Sequence, residues 1–118
     1  MKVTLALIAT GRRSGEPREV ELYAFPDGER LIVVGSRGGS VRDPVWADNL
    51  RAEPRATILR DGKAHAVRAS EAEGAERDRL WQLVSEDYPM YAHFRRKTKR
   101  LIPIFVLDMV GEGEPKQP

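Results

Sequence analysis

Four consecutive apolar residues, Leu31-Ile32-Val33-Val34, follow a Pro26-Asp27-Gly28-Glu29 turn, and they restrict the fold of this 118-residue chain more than any other feature. The segment before the turn alternates: Val20, Leu22 and Ala24 fall on one side, Glu19, Glu21 and Tyr23 on the other. That period of two marks a half-buried strand, and two strands joined by a short Gly-containing turn read as a hairpin. Side chains of a strand point alternately to opposite faces, so an unbroken apolar run needs cover on both of them. A closed or packed barrel supplies that cover.

The remaining segments fit the same scheme. Val3 to Thr10 is β-branched and apolar and breaks at Gly11. Ala56–Arg60 and Ala64–Ala69 flank Asp61-Gly62-Lys63 as a second hairpin, and Ile102–Val110 reads as the last strand. Asp43-Pro44 is expected to open a short helix, with Asp43 as N-cap and Pro44 at the first helical position, ending before Pro54. From about Glu73 the apolar stripe Leu80, Trp81, Leu83 and Val84 opposes Glu76, Arg77 and Asp78, giving a longer helix that Pro89 interrupts. The expected fold is mainly β (α+β): a small antiparallel barrel over residues 1–110 with a short helix and one longer helix. The Gly-, Glu- and Pro-rich residues 111–118 are expected to form a flexible tail.

Composition excludes several kinds of chemistry. There is no cysteine, so disulfides, thiolate metal sites and cysteine nucleophiles are absent, in keeping with a cytoplasmic protein. Twenty Lys and Arg against 18 Asp and Glu leave a net charge of +2, too even a mixture to imply nucleic acid. No apolar stretch is long enough to span a membrane, which leaves only peripheral association open, and the amino terminus does not read as a signal peptide. His65 and His93 lack neighbours at metal-ligand spacing, so no metal is expected. Ser14 and Ser36 lack a nucleophile elbow.

Three clusters remain as candidates. Arg12-Arg13-Ser14-Gly15 offers two guanidiniums, a hydroxyl and turn amides, either an anion nest or a solvated hairpin loop. Arg37 and Arg42 lie in a second Gly-rich loop just before the Pro44 helix, whose Trp46 either stacks on a flat ring or fills the core. Tyr88 and Tyr91, three apart, share a helix face that lines a pocket or closes the core. Beyond them Arg95-Arg96-Lys97-Thr98-Lys99-Arg100 is a solvated basic face or a holder for an acidic tail.

Taken in order, these pieces resemble the deazaflavin (coenzyme F420)-dependent nitroreductase family, oxidoreductases with a split antiparallel β-barrel of the FMN-binding type. The resemblance rests on Thr10-Gly11-Arg12-Arg13-Ser14-Gly15-Glu16-Pro17-Arg18, Leu22-Tyr23, Asp27-Gly28, Val33 to Gly39, Pro44-Val45-Trp46, Asn49 to Pro54, Tyr88-Pro89-Met90-Tyr91 and Arg100-Leu101-Ile102-Pro103. It implies a reductase that passes a hydride from reduced F420 to a small acceptor such as a quinone, nitro compound or enone. An FMN-binding split-barrel reductase and a non-catalytic F420 carrier are the alternatives. By resemblance, Arg12, Arg13 and Ser14 hold the phosphate and acidic tail; Arg37 and Arg42 are expected to line the same mouth because separate loops must converge to hold one phosphate. Arg18, Val20, Glu21, Leu22 and Tyr23 match the strand that runs past the cofactor. Val34, Gly35, Ser36 and Arg37 match the segment approaching the ring, and Pro44, Val45, Trp46 and Asn49 the short-helix residues closing the pocket. Tyr91, Tyr88 and Ser36 match the catalytic face, and a homodimer is expected.

The chain departs from that pattern at Asp43, where relatives often carry Asn, and at Phe94, where a third tyrosine is common. It also starts directly in the first strand, where many relatives have a preceding helix.

Overall fold

The computed structural model describes residues 1–110; the tail expected at 111–118 lies outside the described residues. Six antiparallel strands close into a barrel: β1 (Val3–Thr10), β2 (Pro17–Asp27), β3 (Arg30–Val34), β4 (Arg55–Arg60), β5 (Lys63–Glu71) and β6 (Ile104–Met109), in the spatial order β1-β2-β3-β6-β5-β4. Pairing of β1 with β4, Leu7 opposite Ile58, shuts the ring. A 3-10 turn at Arg37–Gly39 and helix α1 (Val45–Ala52) link β3 to β4, while α2 (Gly74–Asp87) and α3 (Met90–Lys97) link β5 to β6.

The run that demanded two-sided cover receives it. Leu31 and Val33 point into the barrel with Leu7, Ile58, Phe105 and Leu107. Ile32 and Val34 point outward and join Ile104, Val106, Leu80, Val84 and Tyr91 in a second core beneath α2 and α3. Strand β6 repeats the pattern because it pairs with β3 in register, Ile32 opposite Val106 and Val33 opposite Phe105. Two adjacent strands buried on both faces explain why the helices cross the barrel there.

Three expectations need correction. The helical region after Glu73 is two helices, since Pro89, with φ −60°, ends one direction and is pre-set to start the next. The polar stretch that follows is therefore α3, which is anchored by buried Tyr91. Asp43 does not cap α1: the helix begins at Val45 with Pro44 as N-cap and no side-chain cap bond. Its carboxylate instead accepts from Arg100 Nη1 at 2.7 Å and Arg51 Nη1 at 2.8 Å, charge-assisted bonds stronger than a neutral cap contact. The last strand starts at Ile104 rather than Ile102, because Pro103 has no N–H to give to a ladder. Its carbonyl accepts the Gly35 N–H at 2.9 Å.

The β2–β3 turn is tied to α2 by Asp27, which accepts from Arg79 at 2.9 Å and Arg30 at 2.7 Å. These two guanidiniums, Arg79 foremost, hold its carboxyl at about 2 against an ordinary 3.8. A depressed carboxylate stabilises the fold above its unfolded value and loses that contribution as pH falls from near 4 to about 2. Arg79 is half exposed, so screening reduces the worth of the pair to about 1 kcal/mol. Asp27→Asn is expected to cost that much in urea unfolding at pH 7 and almost nothing at pH 2. An equal loss at both pH values would exclude the pairing as its cause.

Candidate active site

The site begins at the β1–β2 turn. Gly11 donates its N–H to the Glu16 carbonyl at 2.8 Å and Gly15 donates to the Gly11 carbonyl at 2.8 Å, closing a compact loop. Ser14 Oγ accepts the Glu16 N–H at 3.1 Å and a bond from Arg18 Nη2 at 3.3 Å. The loop is docked onto α1 by Asn49, a buried side chain whose Oδ1 accepts the Arg12 N–H at 3.0 Å. The Arg12 guanidinium lies 3.4 Å from Asp48 on the same helix.

Between this loop, the start of α1 and the 3-10 turn opens a cleft of about 570 Å³. Arg12, Arg13, Ser14 and Arg18 line one side, and Arg37 reaches it from the 3-10 turn. Val20, Val45, Trp46 and Asn49 form its walls, and Glu19 is its one lining carboxylate. Four arginines from three separate segments thus line one cleft, side chains suited to phosphate and carboxylate groups. Arg37 has φ +46°, a left-handed conformation that non-glycine residues adopt only when their surroundings impose it.

A second cleft of about 530 Å³ shares Val20, Arg37, Pro44 and Trp46 with the first. Glu21, Leu22 and Tyr23 of β2 line it, together with Val34 and Ser36 at the exit of β3. Tyr88, Tyr91 and Phe94 complete its wall from the α2–α3 corner, and Thr4 from β1. The Tyr88 and Tyr91 rings meet edge to face at 4.9 Å, and Tyr91 is backed by Phe25 at 5.6 Å. Burial pushes the Tyr91 phenol well above its ordinary range, and the neighbouring Tyr88 and Tyr23 phenols add to the shift. The group therefore stays protonated at any physiological pH and can act as a hydrogen-bond donor.

Trp46 fills the core and also borders the clefts. It is 8% exposed, packs edge to face on Phe105 at 5.9 Å inside the barrel, and still lines both clefts. The candidate residues named from the sequence border one cleft or the other except Gly15, Gly35, Arg42 and the basic run Arg95 to Arg100. Gly35 lies behind the site: a Cβ there would meet Pro103 Cγ at 2.8 Å, so the position is a close packing contact. Arg42 is exposed, since Ser40 and Asp43 on either side of it are drawn inward to Arg100. Arg100 itself is the residue that the basic run concealed, 13% exposed and bonded to the loop beneath the site. Nothing in the spacing of Arg95 to Arg100 distinguishes it from its solvated neighbours; only its place just before the Leu101-Ile102-Pro103 turn into β6 is a signal.

Comparison with known proteins agrees with this geometry. The family described as F420H(2)-dependent quinone reductase matches residues 1–109. The F420H(2)-dependent quinone reductase Rv1261c of Mycobacterium tuberculosis is 36% identical over 107 residues, covering 88% of this chain and 72% of the relative. A solved F420-H2 dependent reductase, FDR-A, superposes with a TM-score of 0.81 at 35% identity, covering 89% of this chain and 93% of that one. A second structure, described as a domain-swapped dimer, also has a TM-score of 0.81 at 35% identity, with 89% and 79% covered. A putative pyridoxamine 5'-phosphate oxidase from Listeria innocua shares the fold alone, with a TM-score of 0.62 at 15% identity over 92% and 84% of the two chains. No helix among the described residues is long and apolar enough to cross a membrane. The chain belongs to the F420H(2)-dependent quinone reductase family, oxidoreductases that use reduced coenzyme F420, here on a six-stranded split barrel.

Proposed function

We propose that the two clefts act as one site in a cytoplasmic homodimer, the arginine cleft holding the anionic tail of F420 and the tyrosine cleft holding its ring and the quinone. The observation that carries this reading is the convergence of Arg12, Arg13, Arg18 and Arg37 on a mouth with a single lining carboxylate. The residues present fit the group: guanidiniums for its phosphate and carboxylates, and the apolar faces of Val20, Leu22 and Trp46 beside them for a flat ring. When bound, reduced F420 supplies a hydride from a ring carbon.

The chain's own part is to bind, orient and exclude water. Arg13 and Arg37 have no carboxylate within salt-bridge distance among the described residues, so both remain available to an anion. Asn49 holds the Arg12 amide and Asp48 the Arg12 guanidinium, so the loop meets a ligand with little left to order. A quinone that accepts a hydride gains negative charge on oxygen and then takes up one proton. Tyr91 and the Ser36 hydroxyl are the donors proposed to stabilise that oxygen, with Tyr88 closing the face. The raised Tyr91 phenol donates its hydrogen bond without surrendering the proton, so the final proton comes from water.

Two substitutions separate tail from ring. Arg13→Ala removes one charge-assisted contact and is expected to weaken F420 binding about tenfold or more. Titration with F420, and separately with flavin mononucleotide, reads the change; an unaltered F420 affinity counts against the arginine cleft, and tighter flavin binding against the cofactor assignment. Tyr91→Phe keeps the packing against Phe25 and Tyr88 and deletes one donor. Its F420 affinity should stay near wild type while quinone turnover falls roughly ten- to a hundredfold. Wild-type turnover in this variant would take Tyr91 out of the reaction. For the assembly, light scattering of the protein from the cytosolic fraction is expected to give twice the mass of one chain, and a monomer would overturn the dimer.

A further inference from the structure

We propose that Arg100 is a positioning residue for the cofactor loop, holding Arg37 in the strained conformation that brings its guanidinium to the anion mouth. This rests on the reading above that Arg37 contacts an anionic part of F420. The side chain is 13% exposed, whereas Arg95, Arg96, Lys97 and Lys99 beside it are exposed. Its guanidinium is spent on one segment. Nε donates to the Ser40 carbonyl at 2.6 Å, and Nη2 to the Ser36 carbonyl at 2.7 Å and the Gly35 carbonyl at 3.0 Å. Nη1 donates to Asp43 Oδ1 at 2.7 Å.

These acceptors bracket Arg37. Ser36 precedes it and Ser40 follows three residues later, so one planar fork grips the chain on both sides of the residue with φ +46°. A left-handed arginine persists only where neighbouring contacts over-determine it. Among the described residues the 3-10 turn has two internal bonds, Gly39 N–H to the Ser36 carbonyl at 2.9 Å and Ser40 N–H to the Arg37 carbonyl at 3.1 Å. Neither ties the turn to the barrel; Arg100 does, beside the Gly35 N–H to Pro103 carbonyl bond at 2.9 Å just upstream.

Asp43 anchors the fork in turn. Its second oxygen accepts from Arg51 Nη1 at 2.8 Å, and Arg51 makes paired bonds to Glu71 at 2.9 Å each. Arg51 also reaches Asp48 at 3.1 Å, the carboxylate that meets Arg12. The fork is therefore braced from α1 and β5 through Asp43, Arg51 and Glu71, and Arg13, on the other loop, has no bond in this chain of charges among the described residues. A lysine at position 100 keeps the charge but presents its donors from a single point, which cannot span carbonyls on both sides of the turn.

The test is a pair of mutant cycles on the full chain, read as the dissociation constant for F420. Arg100→Lys alone is expected to weaken binding about tenfold. Combined with Arg37→Ala it should add less than about twofold, because the residue it positions is already gone. Combined with Arg13→Ala, on the other loop, its effect should multiply in full. A merely structural defect would multiply equally with both, and that result overturns the proposal. Amide exchange supplies the second readout: Gly39 and Ser40 should exchange faster in Arg100→Lys while β3 and β6 keep their protection, and loss across the barrel would also overturn it. Should Arg100→Lys not fold, Asp43→Asn loosens the same fork and enters the same two cycles. If Arg13→Ala and Arg37→Ala leave binding untouched, the cofactor reading fails and takes this proposal with it. If they weaken binding while Arg100→Lys multiplies with both, only the role of Arg100 fails.

Discussion

The pairing of β3 with β6 is the constraint on which the rest of the molecule depends. Both strands bury side chains on both faces, Leu31, Val33, Phe105 and Leu107 inward, Ile32, Val34, Ile104 and Val106 outward. Apolar surface on the outside of a barrel is stable only beneath another element, so α2 and α3 must cross there. That crossing carries Tyr88, Tyr91 and Phe94 to the exit of β3, where Ser36 and Arg37 begin the site loop. The tyrosine wall of the site is thus a by-product of covering two strands.

Charge is balanced in number and uneven in placement. Arg30, Arg51, Arg55, Arg79 and Arg100 all have carboxylate partners at 2.7–2.9 Å. At the anion mouth four arginines face one lining carboxylate, Glu19, with Asp48 3.4 Å from the Arg12 guanidinium. Exposed pairs contribute little to stability, so the pairing of the structural arginines matters mainly by using up the nearby acids. What remains is a local excess of positive charge in a chain whose net charge is only +2.

A site of this kind has no need for a separate acid–base dyad. On the proposed reading the reactive hydride belongs to the cofactor, and the protein contributes alignment and donors aimed at developing charge. Tyr91 suits that task because it is 5% exposed and held by aromatic neighbours, including Trp81 at 6.4 Å and Phe94 at 6.4 Å. A donor that does not reorganise on reaction is worth more than a mobile one.

Local chemistry made much of this molecule legible from its residues. Alternation along Glu19 to Phe25, the unbroken Leu31 to Val34 run and the Gly-containing turns are properties of neighbouring residues, and they determined the strands, the hairpins and the two-sided burial. The ordered motifs likewise named most residues of both clefts, although these come from separate segments: the β1–β2 turn, β2, the exit of β3, the start of α1 and the α2–α3 corner. Gly35, Arg42, Asp43, Pro89 and Arg100 were decided elsewhere. Whether Asp43 caps a helix or grips a guanidinium depends on Arg100, 57 residues away, and whether Arg100 is solvated or buried depends on where the Ser36–Asp43 loop lies. Pairings at such separation leave no period or spacing in the chain. Only the closed barrel, which sets the end of β3 beside the start of β6, makes the lowest-energy partner of each charge a particular one.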